Sequence, residues 1–166
     1  MKAAPYTRPM SRTTRATQAL EAAKVAFTLH AYDYDPTAER IGLQAAEALG
    51  APPETVLKTL MVEADGKPAC VVLASDREVS MKALARALGA KTASMMKPAD
   101  AERVTGFVVG GVSPFGQKKR APTVVDEAAL AHPLVYISGG QRGLQVRLAP
   151  ADAVTMLGAK TAAVST

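Results

Sequence analysis

The stretch VLKTLMVEADGKPACVVLA, residues 56–74, decides the fold class. Two apolar runs, Val56 to Ala64 and Ala69 to Ala74, flank Asp65-Gly66, a dipeptide suited to a tight turn with positive φ. They are expected to pair as a β-hairpin. Just before it, Pro52-Pro53 pre-sets a helical turn, where proline's missing N–H costs nothing. Leu43 to Leu49 reads as a helix stopped by Gly50, and Ser80 to Leu88 as another, with Met81, Leu84, Ala85 and Leu88 on one face.

Further out, Thr14 to Val25 reads as an amphipathic helix and Val25 to Tyr34 as a half-buried strand ended by Asp35-Pro36. Pro98 to Val104 is a helix candidate, with strands at Phe107-Val108-Val109 and Thr123-Val124-Val125. Leu134 to Ser138 and Leu144 to Leu148 form a second hairpin, expected to turn at Gly139-Gly140. Pro150 opens a helix closed by Gly158, and Thr161 to Val164 reads as a strand. This mixture predicts an α/β fold of the α+β or irregular kind. One domain is expected over residues 13–166, behind a basic tail at residues 1–12.

The net charge of +5 is unevenly spread. Residues 1–15 hold Lys2, Arg8, Arg12 and Arg15 and no acid, while the rest carries 16 basic against 15 acidic side chains. The body is nearly neutral, so indiscriminate binding of long polyanions such as DNA is not expected. The tail has the Arg, Ser and Thr of a transit peptide, but it is read as a solvated leader. No apolar run is long enough to span a bilayer, and the lone Cys70 calls for no oxidising compartment. A cytoplasmic protein is expected.

Several chemistries are missing. His30 and His132 lie far apart and there is one cysteine, too few ligands for a zinc site of usual spacing. There is no G-x-S-x-G and no HExxH. Both histidines read as structural or surface residues, and Cys70 as a small core hydrophobe. Gly111 to Lys118 only approximates a phosphate-binding loop, since Gln117 stands between Gly116 and Lys118 and no helix follows.

Four polar features remain, each with a plain structural explanation beside a functional one. Lys58 interrupts an apolar strand, so it either snorkels at a rim or meets an anion in a pocket. Gly110-Gly111-Val112-Ser113-Pro114 is either a bulge or a place of close approach to a ligand. Ser138 to Gly143 could be only a hairpin turn, and Gln117-Lys118-Lys119-Arg120 a solvated loop or a phosphate contact.

Taken in order, His30-Ala31-Tyr32, Val56 to Leu60, Thr105 to Arg120 and Tyr136 to Leu144 resemble the YbaK/EbsC family, relatives of the editing domain of bacterial prolyl-tRNA synthetases. The resemblance covers about residues 14–164 and comes nearest to the branch acting on Cys-tRNA(Pro). It implies a mixed, barrel-like sheet surrounded by short helices, with a pocket for the aminoacylated CCA end of a mischarged tRNA. By the family's motif, Lys58, Gly110 and Ser138 would form the catalytic set. Lys58 would meet the terminal phosphate or ribose, and Gly110, opening a G-x-x-x-P loop to Pro114, would offer its carbonyl to the α-amino group. Tyr32, Thr59, Gly111, Ser113, Pro114, Gly139, Gly140 and Gln145 would contact substrate, and Lys118, Lys119, Arg120 and Arg142 the tRNA. No metal or other cofactor is implied. Prolyl-tRNA synthetase is a candidate docking partner, and no membrane or DNA is expected as one. Gln145 departs from an acid found there in some relatives, which puts amino-acid preference in question. A sister deacylase for Ala- or Ser-tRNA, or a silent tRNA- or synthetase-binding module, are the alternatives.

The chemistry has its own logic. An aminoacyl ester is already activated, and a cysteine ester carries a thiol of reference pKa about 8.5 that can attack the carbonyl intramolecularly. Good orientation is worth an effective molarity of roughly 10⁵ M or more, enough to dispense with a protein nucleophile.

Overall fold

The computed structural model describes residues 13–39 and 41–166. The expected basic tail at residues 1–12 lies outside them. The central hairpin forms as anticipated, as β2 (Leu57–Ala64) and β3 (Lys67–Ala74), paired in register from Leu57↔Ala74 to Ala64↔Lys67. Asp65 and Gly66 both take positive φ, +50° and +80°, the mirror-image turn that matches the twist of the flanking strands.

Around this hairpin grows a five-stranded sheet in the order β4-β2-β3-β5-β8, where β4 is Ala93–Met95, β5 Thr123–Asp126 and β8 Lys160–Ala162. β4 pairs antiparallel to β2, while β5 and β8 extend the sheet in parallel. Covered on both faces, β3 is buried from Ala69 to Ala74, as its unbroken apolar run requires. A second sheet, order β1-β7-β6, joins β1 (Thr28–Ala31), β7 (Leu144–Leu148) and β6 (Val135–Gln141), all antiparallel.

The main core lies between the sheets and includes Leu57, Val72, Phe115, Val125, Ile137 and Val146. Helix α3 (Met81–Leu88) closes the far face of the large sheet through Leu84. Its N-cap Ser80 accepts a hydrogen bond from Ala83 N–H, and Gly89 ends it in the left-handed conformation. Helix α2 (Gln44–Leu49) lies over the outer face of the small sheet. Helices α1 (Arg15–Ala22), α4 (Pro98–Thr105) and α5 (Pro150–Leu157) complete the fold. Among the described residues no helix is long and apolar enough to cross a membrane.

Four expectations are corrected. The sheets do not close into a barrel: they meet at a single parallel bridge, Val56↔Tyr136, and past it the edge of β2 fronts a cavity. Phe107 to Val109 is no strand. Gly106 ends α4 with φ +81°, and Val109 N–H is then held by Glu102 Oε2 at 2.8 Å, turning the chain back on the helix. The second hairpin turns at Arg142-Gly143, because β6 runs on through Gly139-Gly140 with a register shift between Ser138 and Gln141. The last strand ends at Ala162, not Val164.

Candidate active site

β2 carries two consecutive polar residues, Lys58 and Thr59, in a strand otherwise apolar up to Glu63. Along its whole length one edge pairs with β3. On the other edge β4 pairs with Val62 to Ala64, and Met96 N–H bonds the Met61 carbonyl at 3.1 Å. From Leu57 to Leu60 that edge borders a cavity of about 310 Å³, at the small end of the range for ligand sites. Tyr32 and Tyr34 wall it beyond β1, Ser138 and Gln145 on β6 and β7, and Val109 and Gly110 on the loop after α4. Met61, Met95 and Met96 add a soft, polarizable surface.

Lys58 is half-buried, and that burial lowers its pKa; Glu78 and Asp76 work in the opposite direction from a distance. Among the described residues no carboxylate forms an ion pair with it. A lysine so placed is an unneutralised partner for an incoming phosphate. Beside it, Thr59 Oγ1 is buried without a hydrogen-bond partner. Burial raises the pKa of the Tyr32 phenol most; Tyr34 adds to this, while the Gln145 side chain and the Gly143 backbone oppose it. The phenol therefore keeps its proton.

The glycines of the loop are demanded by sterics. Gly110 has φ +96°, and a Cβ there would sit 2.6 Å from the Tyr34 hydroxyl and 3.0 Å from Arg142 Nε. A Cβ on Gly111 would meet Arg142 N at 2.7 Å. Arg142 ties the assembly together: Nε donates to the Val109 carbonyl at 2.9 Å, and its guanidinium lies 5.2 Å from the Tyr34 ring centre. Across the cavity, Gly140 N–H donates to Ser138 Oγ at 3.1 Å. With that lone pair used, the serine O–H is left to donate into the cavity.

Tyr32, Lys58, Thr59, Gly110, Ser138 and Gln145 thus share one cavity. Arg142 and Gly111 support its Gly110 wall from behind. Ser113 is fully buried, its Oγ accepting from Phe115 N–H at 3.2 Å, and Pro114 borders a separate hollow with Gln117 and Arg120. Gly139 and Gly140 pack on the start of α1, where Thr14 Oγ1 donates to the Gly139 carbonyl at 2.6 Å. The exposed run Lys118-Lys119-Arg120 is not brought to the cavity. Lys119 and Arg120 line a hollow on the other flank of α4, which shares Met96 with the cavity. Tyr34, Met95 and Met96 are cavity residues that sequence reasoning missed. Tyr34 could have been found from its two-residue spacing to Tyr32; the methionines are placed by β4, which has no sequence pattern of its own.

Among the described residues no carboxylate, imidazole or thiol lines this cavity. Among the described residues no three His, Cys, Asp or Glu side chains gather where a metal could be held. Cys70 is buried within the core, its thiol pushed up to about 12 by desolvation. What converges is a cation, hydroxyl donors and backbone groups: equipment for holding and orienting a polar ester rather than for supplying a nucleophile.

A two-sheet fold with such a pocket defines a ligand-positioning α/β domain, and comparison with known proteins identifies the class. Residues 36–156 match the aminoacyl-tRNA editing domain, and the chain belongs to that family. It is therefore an aminoacyl-tRNA deacylase, acting on the ester that joins an amino acid to tRNA. Among its relatives is EbsC of Enterococcus faecalis, provisionally named a Cys-tRNA(Pro)/Cys-tRNA(Cys) deacylase, 34% identical over 122 residues covering 73% of this chain and 74% of that one. Proline–tRNA ligase of Acidithiobacillus ferrooxidans is 33% identical over 87 residues, 52% of this chain but 15% of the ligase. Of solved structures, hypothetical protein APE2540 superposes with a TM-score of 0.82 at 26% identity, over 92% of this chain and all of that one. A provisionally titled trans-editing enzyme for prolyl-tRNA synthetase gives 0.77 at 24% identity, over 92% and 95%, and shows the same fold.

Proposed function

We propose that the chain edits in trans, removing cysteine from mischarged Cys-tRNA(Pro). The observation that carries this reading is the cavity itself: Lys58, Gly110, Ser138 and Tyr32 converge in about 310 Å³ that no carboxylate, imidazole or thiol of the described residues lines. Such a site suits a substrate that brings its own nucleophile. Lys58 meets the terminal phosphate or ribose of the CCA end, the Gly110 carbonyl accepts from the α-amino group, and the Ser138 hydroxyl and Tyr32 border the amino-acid end. The cysteinyl thiolate attacks the ester carbonyl carbon, forming a C–S bond. The C–O bond to the ribose breaks, and the thiol's proton ends on the departing ribose oxygen. Water then opens the resulting thiolactone to free cysteine. A site that accepts proline cannot strongly reject a small amino acid of similar size, which is why such clearance is needed.

The tRNA specificity is proposed to come partly from docking on prolyl-tRNA synthetase, since the body carries little net charge of its own. The experiment is deacylation of Cys-, Ala-, Ser- and Pro-tRNA(Pro) by the wild-type protein and Lys58→Ala. Cysteine release alone, abolished by the substitution, is the expected result. Equal turnover of the serine ester sinks the thiol mechanism. A preference for alanine or serine moves the protein to a sister specificity, the direction in which Gln145 could push it.

A further inference from the structure

The outer face of the small sheet carries a continuous row of polar side chains. Thr28, His30 and Tyr32 alternate along β1 and beyond it, Gln145 and Arg147 along β7, Tyr136 and Ser138 along β6. One end of this face forms the cavity wall; α2 covers its middle, packing Ala45, Ala46 and Leu49 against Tyr136. Beneath α2, His30 and Gln145 stand directly opposite each other in the β1–β7 register and are 3% and 7% exposed. Each leaves one buried side-chain atom without a partner, His30 Nδ1 and Gln145 Oε1.

The two orphans are complementary. A ring nitrogen can carry a proton, and an amide oxygen can only accept one. Directly opposed residues in antiparallel strands have Cβ atoms about 4.5–5.5 Å apart, within reach of a bond made by small side-chain rotations or one water. The rest of the ring is already fixed. Nε2 lies 2.7 Å from Thr28 Oγ1, and the ring stands edge-on to Tyr136 at 5.1 Å and 81°. Burial and the nearby Arg147 guanidinium both disfavour the imidazolium, so the ring holds one proton. If Nε2 accepts from the Thr28 hydroxyl, that proton is on Nδ1, aimed at the amide.

We propose that His30 Nδ1–H donates to Gln145 Oε1, directly or through one buried water, and that this bond fixes the Gln145 amide beside the Tyr32 hydroxyl in the cavity wall. His30 is then a positioning residue that never touches substrate. The donor direction is consistent along the row: Thr28 O–H to His30, His30 N–H to Gln145, the Gln145 N–H₂ to the Tyr32 oxygen. Tyr32 keeps its own O–H for the ligand. The last link rests on the proposed editing function; the bond itself does not.

Two kinds of readout separate them. Nitrogen-15 NMR of histidine-labelled protein is expected to show His30 as the Nδ1–H tautomer, and Gln145→Leu to abolish that preference. Gln145→Glu places a carboxylate opposite the ring and is expected to raise the His30 titration midpoint. The Nε2–H tautomer, or a His30 midpoint indifferent to Gln145→Glu, overturns the bond even if deacylation is normal. For the positioning role, His30→Phe is expected to lower kcat for Cys-tRNA(Pro) roughly tenfold, the effect of one ordinary hydrogen bond. His30→Asn, whose amide N–H can stand near the position of Nδ1, restores most of it. Wild-type activity in His30→Phe overturns the positioning role, and so does a loss that His30→Asn leaves unrelieved in a protein of unchanged thermal stability. A correct tautomer in a protein that deacylates no substrate leaves the bond standing and fails the editing function instead.

Discussion

Lys58 and the run Lys118-Lys119-Arg120 place positive charge on two flanks of α4 in opposite manners. Lys58 is one half-buried cation on a rigid strand, facing a cavity of about 310 Å³. The three cations of the run are exposed on a loop, tied down by backbone bonds from Lys118 N–H to the Thr105 carbonyl and Lys119 N–H to the Val104 carbonyl, each close to 3 Å. A desolvated charge interacts strongly but over a short distance; an exposed one attracts from further away and is screened by salt. The first arrangement suits holding a reacting group, the second gathering a polyanion. Charge count alone would have ranked them the other way.

The largest expected effect tests the first half of that contrast. Lys58→Ala should lower kcat/KM for deacylation by about 100-fold or more, the scale for removing one positioned electrostatic group, as measured in single-turnover assays. Lys58→Met should be equally inactive yet no less stable in thermal melts, because the native state bears the cost of partly burying an ammonium. The sign follows from linkage. The folded pKa lies below the unfolded value of 10.5, so the unfolded chain holds more protons between the two, and this group's contribution to stability grows as pH rises through that window. A melting curve of Lys58→Met against wild type from pH 7 to 10 should therefore show its advantage shrinking.

Gly110→Ala comes next. The positive φ and the collision with Tyr34 and Arg142 should destabilise the protein by about 1–3 kcal/mol in urea unfolding and displace the loop enough to cost most of the activity. Replacing Lys118, Lys119 and Arg120 together by alanine should leave kcat unchanged, raise KM several-fold and flatten the dependence of KM on salt. An equal fall in kcat would show that the two flanks act as one surface. The smallest effect belongs to Cys70. Native protein should resist iodoacetamide at pH 8, since the thiol is buried and pushed up to about 12, and Cys70→Ala should retain wild-type deacylation.

The parts legible in the sequence are those governed by local rules. Asp65-Gly66 announced its turn because few other dipeptides tolerate two positive φ angles, and Gly50 and Gly158 marked helix ends for the same reason. Lys58 stood out as a charge inside an apolar run. The resemblance to an editing family supplied the grouping of Tyr32, Gly110, Ser138 and Gln145, which no spacing on its own could have given. The failures were tertiary. β4 is a three-residue strand with two exposed positions, formed only because the edge of β2 offers it a partner. Phe107-Val108-Val109 has the composition of a strand, but only Phe107 is buried, and Val108 stays 55% exposed on a turn held by Glu102. The Gly139-Gly140 pair looked like a hairpin tip; a long-range bond from Thr14 and packing on α1 make it a bulge inside β6 instead.

The unpaired edge of β2 from Leu57 to Leu60 has a consequence for solubility. A strand edge that exposes its backbone groups is a template on which another chain can add, and proteins commonly defend such edges with charge, bulges or cover. Here the defence is depth. Tyr32, Tyr34, Met95 and the Gly110 loop surround the edge, so a narrow ligand can reach it while an extended foreign strand cannot lie along it. Removing those walls, more than weakening the core, is what would turn this enzyme into a seed for aggregation.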